Sequence, residues 1–270
     1  MLVRVGFSAD PDDAFMFWGL ASGTVDTRGY EFEPVVADIQ TLNEWSLEGR
    51  LEVTAMSLAT YPLVHDRYVL LPHGASMGSG YGPVVVARDA LSLDELRDEE
   101  IVVPGKLTTA FLVLQMALGG ELRCRVMPFD QILDEVVSGG ARVGLLIHEG
   151  QLTYSEAGLE KCLDLGEWWL LETGLPLPLG VNTIRRDLGR DAMGTISQIL
   201  HASIDAALEH RDDALDYALG FGRGLDEVRG NRFVEMYVNE LTLDYGDEGR
   251  QAVRELLERA HAGIQVQWVE

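Results

Sequence analysis

Cysteine is scarce in this chain, with only Cys124 and Cys162 among 270 residues. Neither belongs to a Cys-x-x-Cys pair, and no histidine cluster lies beside them. Thiolate metal sites need closely spaced ligands, so we expect no metal site. We expect both residues to be buried free thiols.

Long apolar runs are also missing. No stretch reaches the about 18 uninterrupted apolar residues that mark a transmembrane helix. The opening segment, residues 1–8, becomes polar too soon for the apolar region of a secretory signal, and its pattern predicts a strand. We therefore expect a cytoplasmic protein with no membrane partner.

Lysine is nearly absent. Lys106 and Lys161 are the two lysines among 21 basic residues, which face 44 acidic ones and leave a net charge of −23. Nucleic acids and anionic membranes need clustered basic side chains, so this charge argues against both as partners. A small anion can still bind where backbone N–H groups and a few side chains converge.

Short apolar runs alternate with helical patterns through the first two thirds of the chain. This alternation predicts an α/β fold with a mostly parallel sheet flanked by helices. The predicted strands are Leu2–Ser8, Tyr30–Val36, Val53–Ser57, Tyr68–Pro72, Gly82–Ala87, Ile101–Val103, Arg123–Met127 and Val143–Ile147. The predicted helices between them are Asp12–Leu20, Asp38–Leu47, Leu58–Leu63, Thr108–Leu118 and Asp130–Val137.

Two segments have special geometry in this interpretation. The glycine-rich run Gly74–Gly82 is expected to reverse the chain between Tyr68–Pro72 and Gly82–Ala87, which would form a pair of strands. Leu175–Leu179 contains two prolines and is expected to be a stiff connector, because proline fixes its own φ and biases the preceding residue towards extended backbone.

The last third of the chain is predicted to be helical, with helices at Ala192–Glu209, Asp212–Leu219, Leu225–Leu241 and Glu248–Ala262. If these helices pack back on the first strands, the chain forms two lobes. We expect a larger, discontinuous lobe of residues 1–90 and 183–270, a smaller lobe of residues 91–182, and a ligand cleft between them.

Polar residues follow several predicted strands, at the sheet edge where α/β proteins bind ligands. Ser57 ends one strand, and Thr108 or Thr109 caps the helix after another. The hydroxyl group and the N–H groups of Thr109 and Ala110 would suit a carboxylate, since a helix N-terminus offers free donors. Ordinary helix capping explains the same residues, and both interpretations stay open.

His148 ends the apolar strand in Gly144-Leu-Leu-Ile-His-Glu-Gly150. Histidine titrates near neutral pH and is the commonest general base, so this position is a candidate for catalysis. The alternative is a structural histidine whose ring is hydrogen-bonded to a carbonyl group. The other five histidines lie in less suggestive positions.

Several blocks, in this order, resemble the 1,4-dihydroxy-6-naphthoate synthase family over nearly the whole chain. They are Ser57, Gly82-Pro-Val84, Pro104-Gly105 with Thr108-Thr-Ala-Phe111, Leu146-Ile-His-Glu-Gly150 with Thr153-Tyr154, Asp164-Leu-Gly with Trp168-Trp169, Thr173-Gly-Leu-Pro-Leu-Pro-Leu-Gly180, and Met236-Tyr-Val-Asn239.

The resemblance implies a two-lobed, type II periplasmic-binding-protein-like fold. It implies a lyase that converts cyclic dehypoxanthine futalosine, a small anionic aromatic substrate, to 1,4-dihydroxy-6-naphthoate in menaquinone biosynthesis. His148 matches the family's general base, and no metal or organic cofactor is implied. The substrate-binding residues expected on this basis are Ser8, Asn43, Ser57, Thr108, Thr109 and Ala110. The sequence is compatible with a monomer or a homodimer.

One block departs from the family. Members usually open with Ser-Pro-Cys-Pro-Asn-Asp-Thr-Phe, whereas this chain has Ser8-Ala-Asp-Pro-Asp-Asp-Ala-Phe15. That change leaves room for a different substrate. Two other functions stay open: chorismate dehydratase of the same route, and a solute-binding protein without catalysis, because fold alone does not fix function.

Overall fold

The computed structural model describes residues 1–221 and 226–270. Eleven strands lie in the described residues: β1 (Leu2–Ser8), β2 (Glu31–Ala37), β3 (Val53–Ser57), β4 (Tyr68–Leu70), β5 (Ser76–Gly78), β6 (Val84–Ala87), β7 (Ile101–Val103), β8 (Cys124–Val126), β9 (Val143–Leu146), β10 (Glu160–Asp164) and β11 (Leu177–Arg185).

The described helices are α1 (Pro11–Met16), α2 (Trp18–Ala21), α3 (Ile39–Glu48), α4 (Tyr61–Val64), α5 (Leu93–Asp98), α6 (Thr109–Leu118), α7 (Phe129–Ser138), α8 (Gly150–Thr153), α9 (Leu165–Thr173), α10 (Arg190–Glu209), α11 (Arg211–Leu219), α12 (Glu227–Tyr237), α13 (Glu240–Leu243) and α14 (Gly246–Ala260). Two 3₁₀ turns cover Leu58–Thr60 and Arg186–Leu188. Among the described residues, no helix has the length and apolar character needed to cross a bilayer.

The chain forms two compact units. The first contains Met1–Met77 and Pro178–Glu270, and the second contains Gly78–Leu177. The predicted pair of strands around the glycine-rich run is wrong, because β4 belongs to the sheet of the first unit and β6 to that of the second. Each strand finds its partners among segments distant in sequence, which local turn signals do not reveal.

The sheet of the first unit has the order β2-β1-β3-β11-β4, and β5 pairs with β11. Strand β1 runs parallel to β2 and β3, whereas β11 runs antiparallel to β3 and β4. The predicted α/β class is therefore confirmed, but the sheet is mixed rather than mostly parallel. The sequence predicts a stiff connector at Leu175–Leu179. Its second part is instead a strand, because β11 begins at Leu177. Pro178 lies near the start of that strand, where a missing N–H group is tolerated.

The sheet of the second unit has the order β10-β6-β9-β7-β8. Strand β7 is parallel to β8 and β9, whereas β6 is antiparallel to β9 and β10. This sheet is therefore also mixed, with β6 antiparallel to both of its neighbours. Neither β10 nor α9 was predicted. For β10 the reason is that Glu160–Asp164 carries three charges in five residues and lacks an apolar run.

Apolar alternation fixes the strand faces in the first unit. Val3, Val5 and Phe7 of β1 are buried in its core. Between them, Gly6 leaves no room for a side chain, since an added Cβ would lie 3.0 Å from Leu42 Cδ2 of α3. Helix α3 therefore packs directly on β1, and this contact places its polar residues beside the ends of the strands.

The C-terminal helices of the first unit follow the predicted pattern. Helix α10 covers the predicted segment, and α11 and α14 differ from expectation by one or two residues at their ends. The predicted start at Leu225 lies outside the described residues. The remainder of that prediction is two helices rather than one, because Asn239 caps α13 through a capping box with Thr242.

The two cysteines are free, as expected, but both are half-buried rather than buried. Cys124 lies on β8, the edge strand of its sheet, where one side receives no neighbouring strand. Cys162 lies on β10, the opposite edge strand.

Candidate active site

Two serines lie near one another at the carboxyl edge of the first unit's sheet. Ser8 ends β1 and Ser57 ends β3, and these strands are parallel with Val5 opposite Val53. At this register Ser8 is level with Met56, one residue before Ser57. Both serines are buried. The strand pairing therefore places these two residues at one edge of the sheet.

Asn43 of α3 holds Ser57 through two hydrogen bonds. The Ser57 N–H donates to Asn43 Oδ1 at 2.8 Å, and Asn43 Nδ2 donates to Ser57 Oγ at 3.0 Å. A backbone N–H can only donate, so it fixes which end of the carboxamide is oxygen. The Ser57 hydroxyl thus accepts from Asn43 and keeps its own hydrogen for another acceptor.

The loop after Ser8 is built from three buried aspartates. The Ser8 N–H donates to Asp13 Oδ2 at 2.7 Å, and Asp10 caps α1 by accepting from the Asp13 N–H at 3.2 Å. Ser76, in the glycine-rich run, donates to Asp12 Oδ2 at 2.8 Å. The loop that departs from the family is therefore ordered by its own acidic side chains.

Burial raises the pKa of Asp12 well above its ordinary value, and the nearby charges of Asp10 and Asp13 raise this pKa further. This shift favours the protonated, neutral form of the Asp12 carboxyl group. Ser76 supplies the hydrogen bond to its Oδ2 atom. Asp12 stands where the family usually has asparagine, and a neutral carboxylic acid is the acidic side chain closest to a carboxamide in shape and hydrogen bonding.

The same three carboxylates have oxygen atoms within 4.8 Å of one another, the one potential metal-binding cluster found among the described residues. Asp10 and Asp13 each accept a backbone hydrogen bond. Burial and the charges of Asp10 and Asp13 raise the pKa of Asp12, so protonation of Asp12 would lessen the repulsion within the cluster.

Ser8 offers a further polar group at this edge. Its Oγ is buried and forms no hydrogen bond with any residue that the structure describes. A buried hydroxyl without a partner costs free energy, on the order of 1–3 kcal/mol. Such a group marks a place where a bound molecule would gain a hydrogen bond.

In the second unit, the candidate residues also meet at one sheet edge. Strands β7 and β9 are parallel neighbours, with Val102 opposite Gly144. Helix α6 follows β7 after a short loop, and His148 follows β9 by two residues. The N-terminus of α6 and His148 therefore follow adjacent parallel strands and lie at the same edge of the sheet.

Thr108 is the residue that caps α6. Its hydroxyl donates to the Gly105 carbonyl at 2.8 Å and accepts from the Phe111 N–H at 3.2 Å. Helix geometry gives the N–H groups of the next two residues, Thr109 and Ala110, no acceptor within the helix. The cap thus uses the Thr108 hydroxyl, and the positive end of the helix dipole at this first turn favours an anion nearby.

His148 has an unusual backbone. Its φ is 50°, in the left-handed region that residues other than glycine seldom adopt. Its carbonyl accepts from the Gln151 N–H at 3.1 Å, which closes a turn into α8. Strained residues of this kind concentrate at functional sites, so the conformation supports a role beyond packing.

Phe129 supports the histidine ring from the side. The two ring centroids lie 4.8 Å apart in an edge-to-face arrangement. Phe129 begins α7, which packs closely on β9 because Gly144 has no room for a side chain beside Ile132 and Val136. Phe129 was not among the predicted site residues, although its position two residues after the predicted strand Arg123–Met127 was an available signal.

Two of the family-like blocks have structural roles. The Leu165 N–H donates to the Pro83 carbonyl at 2.9 Å, which joins the Gly82-Pro-Val84 block to the Asp164-Leu-Gly block. The Trp169 indole donates to the Pro176 carbonyl at 3.0 Å, which fixes the proline-rich block. These blocks shape the second unit rather than present reactive groups.

With this geometry established, comparison with known proteins identifies the family. Residues 3–262 match the family described as menaquinone biosynthesis. The chain belongs to this family. It is 42% identical to the 1,4-dihydroxy-6-naphtoate synthase of Thermus thermophilus, covering 96% of this chain and 94% of that protein. It is 36% identical to the protein of the same name from Streptomyces coelicolor, covering 96% and 93%.

These relatives confirm the resemblance stated from the sequence, and they make this family member an enzyme of menaquinone biosynthesis. A crystal structure of a protein from Archaeoglobus fulgidus is 44% identical, with a TM-score of 0.92 over 97% of both chains. A Candida albicans protein described as having the generic periplasmic binding protein fold gives a TM-score of 0.66 at 11% identity, over 100% of this chain and 98% of that one. The predicted periplasmic-binding-protein-like fold is therefore confirmed.

Proposed function

We propose that this enzyme is a lyase that converts cyclic dehypoxanthine futalosine to 1,4-dihydroxy-6-naphthoate, with His148 as its general base. The imidazole accepts a proton from the sugar-derived part of the substrate. Elimination and formation of the aromatic ring then drive the release of a three-carbon fragment. The observation that carries this proposal is the left-handed His148, held at a strand end next to the start of α6.

The first turn of α6 supplies the anion site in this proposal. The N–H groups of Thr109 and Ala110 bind the substrate carboxylate, aided by the positive end of the helix dipole. Thr108 contributes by holding that turn in place through its cap. Because α6 and His148 leave neighbouring parallel strands, a carboxylate bound at the helix keeps the substrate oriented towards the base.

Ser8 and Ser57 bind the substrate through their hydroxyl groups. The Ser57 hydroxyl has its hydrogen available for donation because Asn43 already donates to its oxygen. Ser8 Oγ is buried and has no hydrogen-bond partner among the described residues, so a hydrogen bond from the substrate would satisfy it. Asn43 acts through Ser57 and is therefore a positioning residue rather than a substrate contact.

The altered loop is compatible with this substrate. Burial raises the pKa of Asp12, which stands where the family usually has asparagine, and so favours its neutral form. In that form the substitution adds no third negative charge near Ser8. An anionic substrate is repelled less by this loop than the count of aspartates alone would indicate.

The decisive experiment incubates the purified protein separately with cyclic dehypoxanthine futalosine and with chorismate, and follows products by absorbance and mass. The expected result is 1,4-dihydroxy-6-naphthoate from the first and no dehydrated product from the second. A dehydrated benzoate from chorismate would instead establish the sister dehydratase. Tight binding of the futalosine compound without any product over hours would establish a binding protein.

A further inference from the structure

A groove lined by arginines lies in the first unit, apart from the residues proposed to bind substrate. Its volume is about 590 Å³. Four guanidinium groups line it: Arg186 and Arg190 around the start of α10, and Arg250 and Arg254 on α14. We call this feature the arginine groove.

The concentration of positive charge is unusual for this chain. The protein carries a net charge of −23 and has only 21 basic residues, four of which converge here. Glu270 is the one acidic residue among the described lining residues. The lining side chains of the groove therefore carry a net positive charge, although the molecule as a whole is negative. Clustered positive charge of this kind favours anions.

Arg250 and Arg254 lie one helical turn apart and both contact the ring of Trp268. Their guanidinium carbons lie 4.9 Å and 5.0 Å from the ring centroid. Neither forms an ion pair with an acidic side chain among the residues that the structure describes. The aromatic ring therefore orients two positive charges whose N–H donors remain available for anionic oxygens.

The floor of the groove is fixed. Leu70 of β4 donates to the Gln267 carbonyl at 3.2 Å and accepts from the Val269 N–H at 2.8 Å, which holds the segment around Trp268 beside β4. The Trp268 Nε1 atom is buried and has no acceptor among the described residues. The fixed Trp268 ring beside two oriented guanidinium groups is a preformed binding surface.

The opposite wall combines one fixed and one movable charge. Arg186 donates through Nε to the His65 carbonyl at 2.9 Å, which restrains its side chain. Arg190 faces Glu270 at 3.7 Å, and both side chains are nearly nine-tenths exposed. An ion pair this exposed contributes little, about 0–1 kcal/mol, so an incoming anion displaces Glu270 readily.

We propose that the arginine groove binds a small phosphorylated molecule carrying a diphosphate group. Guanidinium groups bind phosphate oxygens in a planar, two-pronged geometry, and four of them match the charge of a diphosphate better than that of a single carboxylate. The volume accommodates the diphosphate and an attached group of modest size. This site is separate from the proposed reaction and does not depend on it.

Inorganic pyrophosphate is the probe, titrated by calorimetry into the full-length protein at fixed ionic strength, with orthophosphate and citrate as parallel arms. One equivalent of pyrophosphate is expected to bind, at least about tenfold more tightly than orthophosphate or citrate. Equal binding of citrate would overturn the assignment to phosphoryl groups. No saturable binding of pyrophosphate would overturn the site.

Variants locate the binding within the groove. Arg254→Gln changes an exposed side chain and is expected to weaken pyrophosphate binding about tenfold. Arg259→Gln is the matched control, since Arg259 lies on the same helix, outside the groove, and pairs with Glu255. A second readout is thermal unfolding, where a fixed concentration of pyrophosphate should raise the Tm of Arg254→Gln by less than it raises the Tm of the wild type and the control. Equal effects in both variants would place the anion elsewhere.

Discussion

Asn43 and Ser57 are joined by two hydrogen bonds. The Asn43 side-chain oxygen accepts from the Ser57 backbone N–H at 2.8 Å, and the Asn43 side-chain nitrogen donates to the Ser57 hydroxyl at 3.0 Å. The two residues are 14 positions apart and both are buried. This pair explains why an asparagine on a helix matters to a serine at a strand end. In the proposed reaction Ser57 binds the substrate, whereas Asn43 has the structural role of holding Ser57 in place.

Ser57→Ala should raise KM about tenfold and lower the free energy of unfolding by about 1 kcal/mol, because it removes one hydrogen bond to substrate and leaves the Asn43 amide short of an acceptor. Asn43→Ala should cost more stability, about 2–3 kcal/mol, since it leaves the buried Ser57 N–H without its acceptor. Urea unfolding and steady-state kinetics measure both effects. Ser138→Ala, at an exposed serine of the second unit, is the control. An unchanged KM in Ser57→Ala would remove Ser57 from the substrate contacts.

His148→Asn should lower kcat by at least about a hundredfold while substrate binding persists, because general base catalysis is lost. Stability should change by less than about 1 kcal/mol, since asparagine tolerates the left-handed backbone that His148 adopts. Binding is measured by calorimetry and turnover by product mass. His261→Asn, at an exposed position after α14, is the control and should keep full activity. Retained turnover in His148→Asn would exclude the histidine as the base.

Asp12→Asn should make the protein more stable at pH 7. Because the folded-state pKa of Asp12 lies above its ordinary value of 3.8, the folded state holds a proton that the unfolded state has lost. Wild-type stability therefore falls as pH rises from about 3.8 towards the folded pKa, by up to about 1.4 kcal/mol for each pH unit. The variant lacks this dependence. Urea unfolding of both proteins at pH 5 and pH 8 tests the difference.

Asp216→Asn is the matched control for Asp12, because Asp216 is exposed on α11. It should leave the wild-type dependence on pH unchanged. A wild-type protein whose stability does not fall between pH 5 and pH 8 relative to Asp12→Asn would show that Asp12 is ionised when folded. The structural analogy between Asp12 and the family's asparagine would then fail.

The sequence predicted individual elements and strand-end residues well, but not the partners of those residues. Periodicity located Leu2–Ser8 and Val53–Ser57 at the bounds that the structure has. It could not show that β11 returns antiparallel beside β3, because strand direction depends on pairing between distant segments. The contact between Asp12 and Ser76 spans 64 positions, and no local pattern encodes it.

In the candidate active site, too, local features were predictable and contacts between distant residues were not. Capping chemistry predicted that Thr108 or Thr109 caps α6, and Thr108 is the cap, since the signal is contained within four residues. The backbone conformation of His148 was not predictable, because left-handed geometry is expected of glycine or asparagine rather than histidine. Its neighbour Phe129 is brought close by the packing of α7 on Gly144, which is a tertiary effect.

His73 provides a second, opposite dependence on pH. Burial, together with the nearby charge of His201, lowers the pKa of His73 to about 4. Its Nε2 lies 3.0 Å from Ser197 Oγ, and its Nδ1 is buried with no partner among the described residues. A charged ring would carry a proton on both nitrogens, so it would bury an N–H group without an acceptor. The folded protein therefore keeps this ring neutral.

The unfolded state protonates His73 near pH 6.5, whereas the folded state resists protonation until about pH 4. Stability from this residue is complete above about pH 6.5 and is lost as pH falls towards 4, by up to about 3 kcal/mol. His73→Gln cannot titrate and can still bond to Ser197, so its stability should fall less than that of the wild type between pH 7 and pH 4.5. Urea unfolding across that range measures the difference, and His261→Asn should follow the wild type. If His73→Gln loses as much stability as the wild type on acidification, protonation of His73 is not the cause of the loss, and the acid sensitivity must come from other groups.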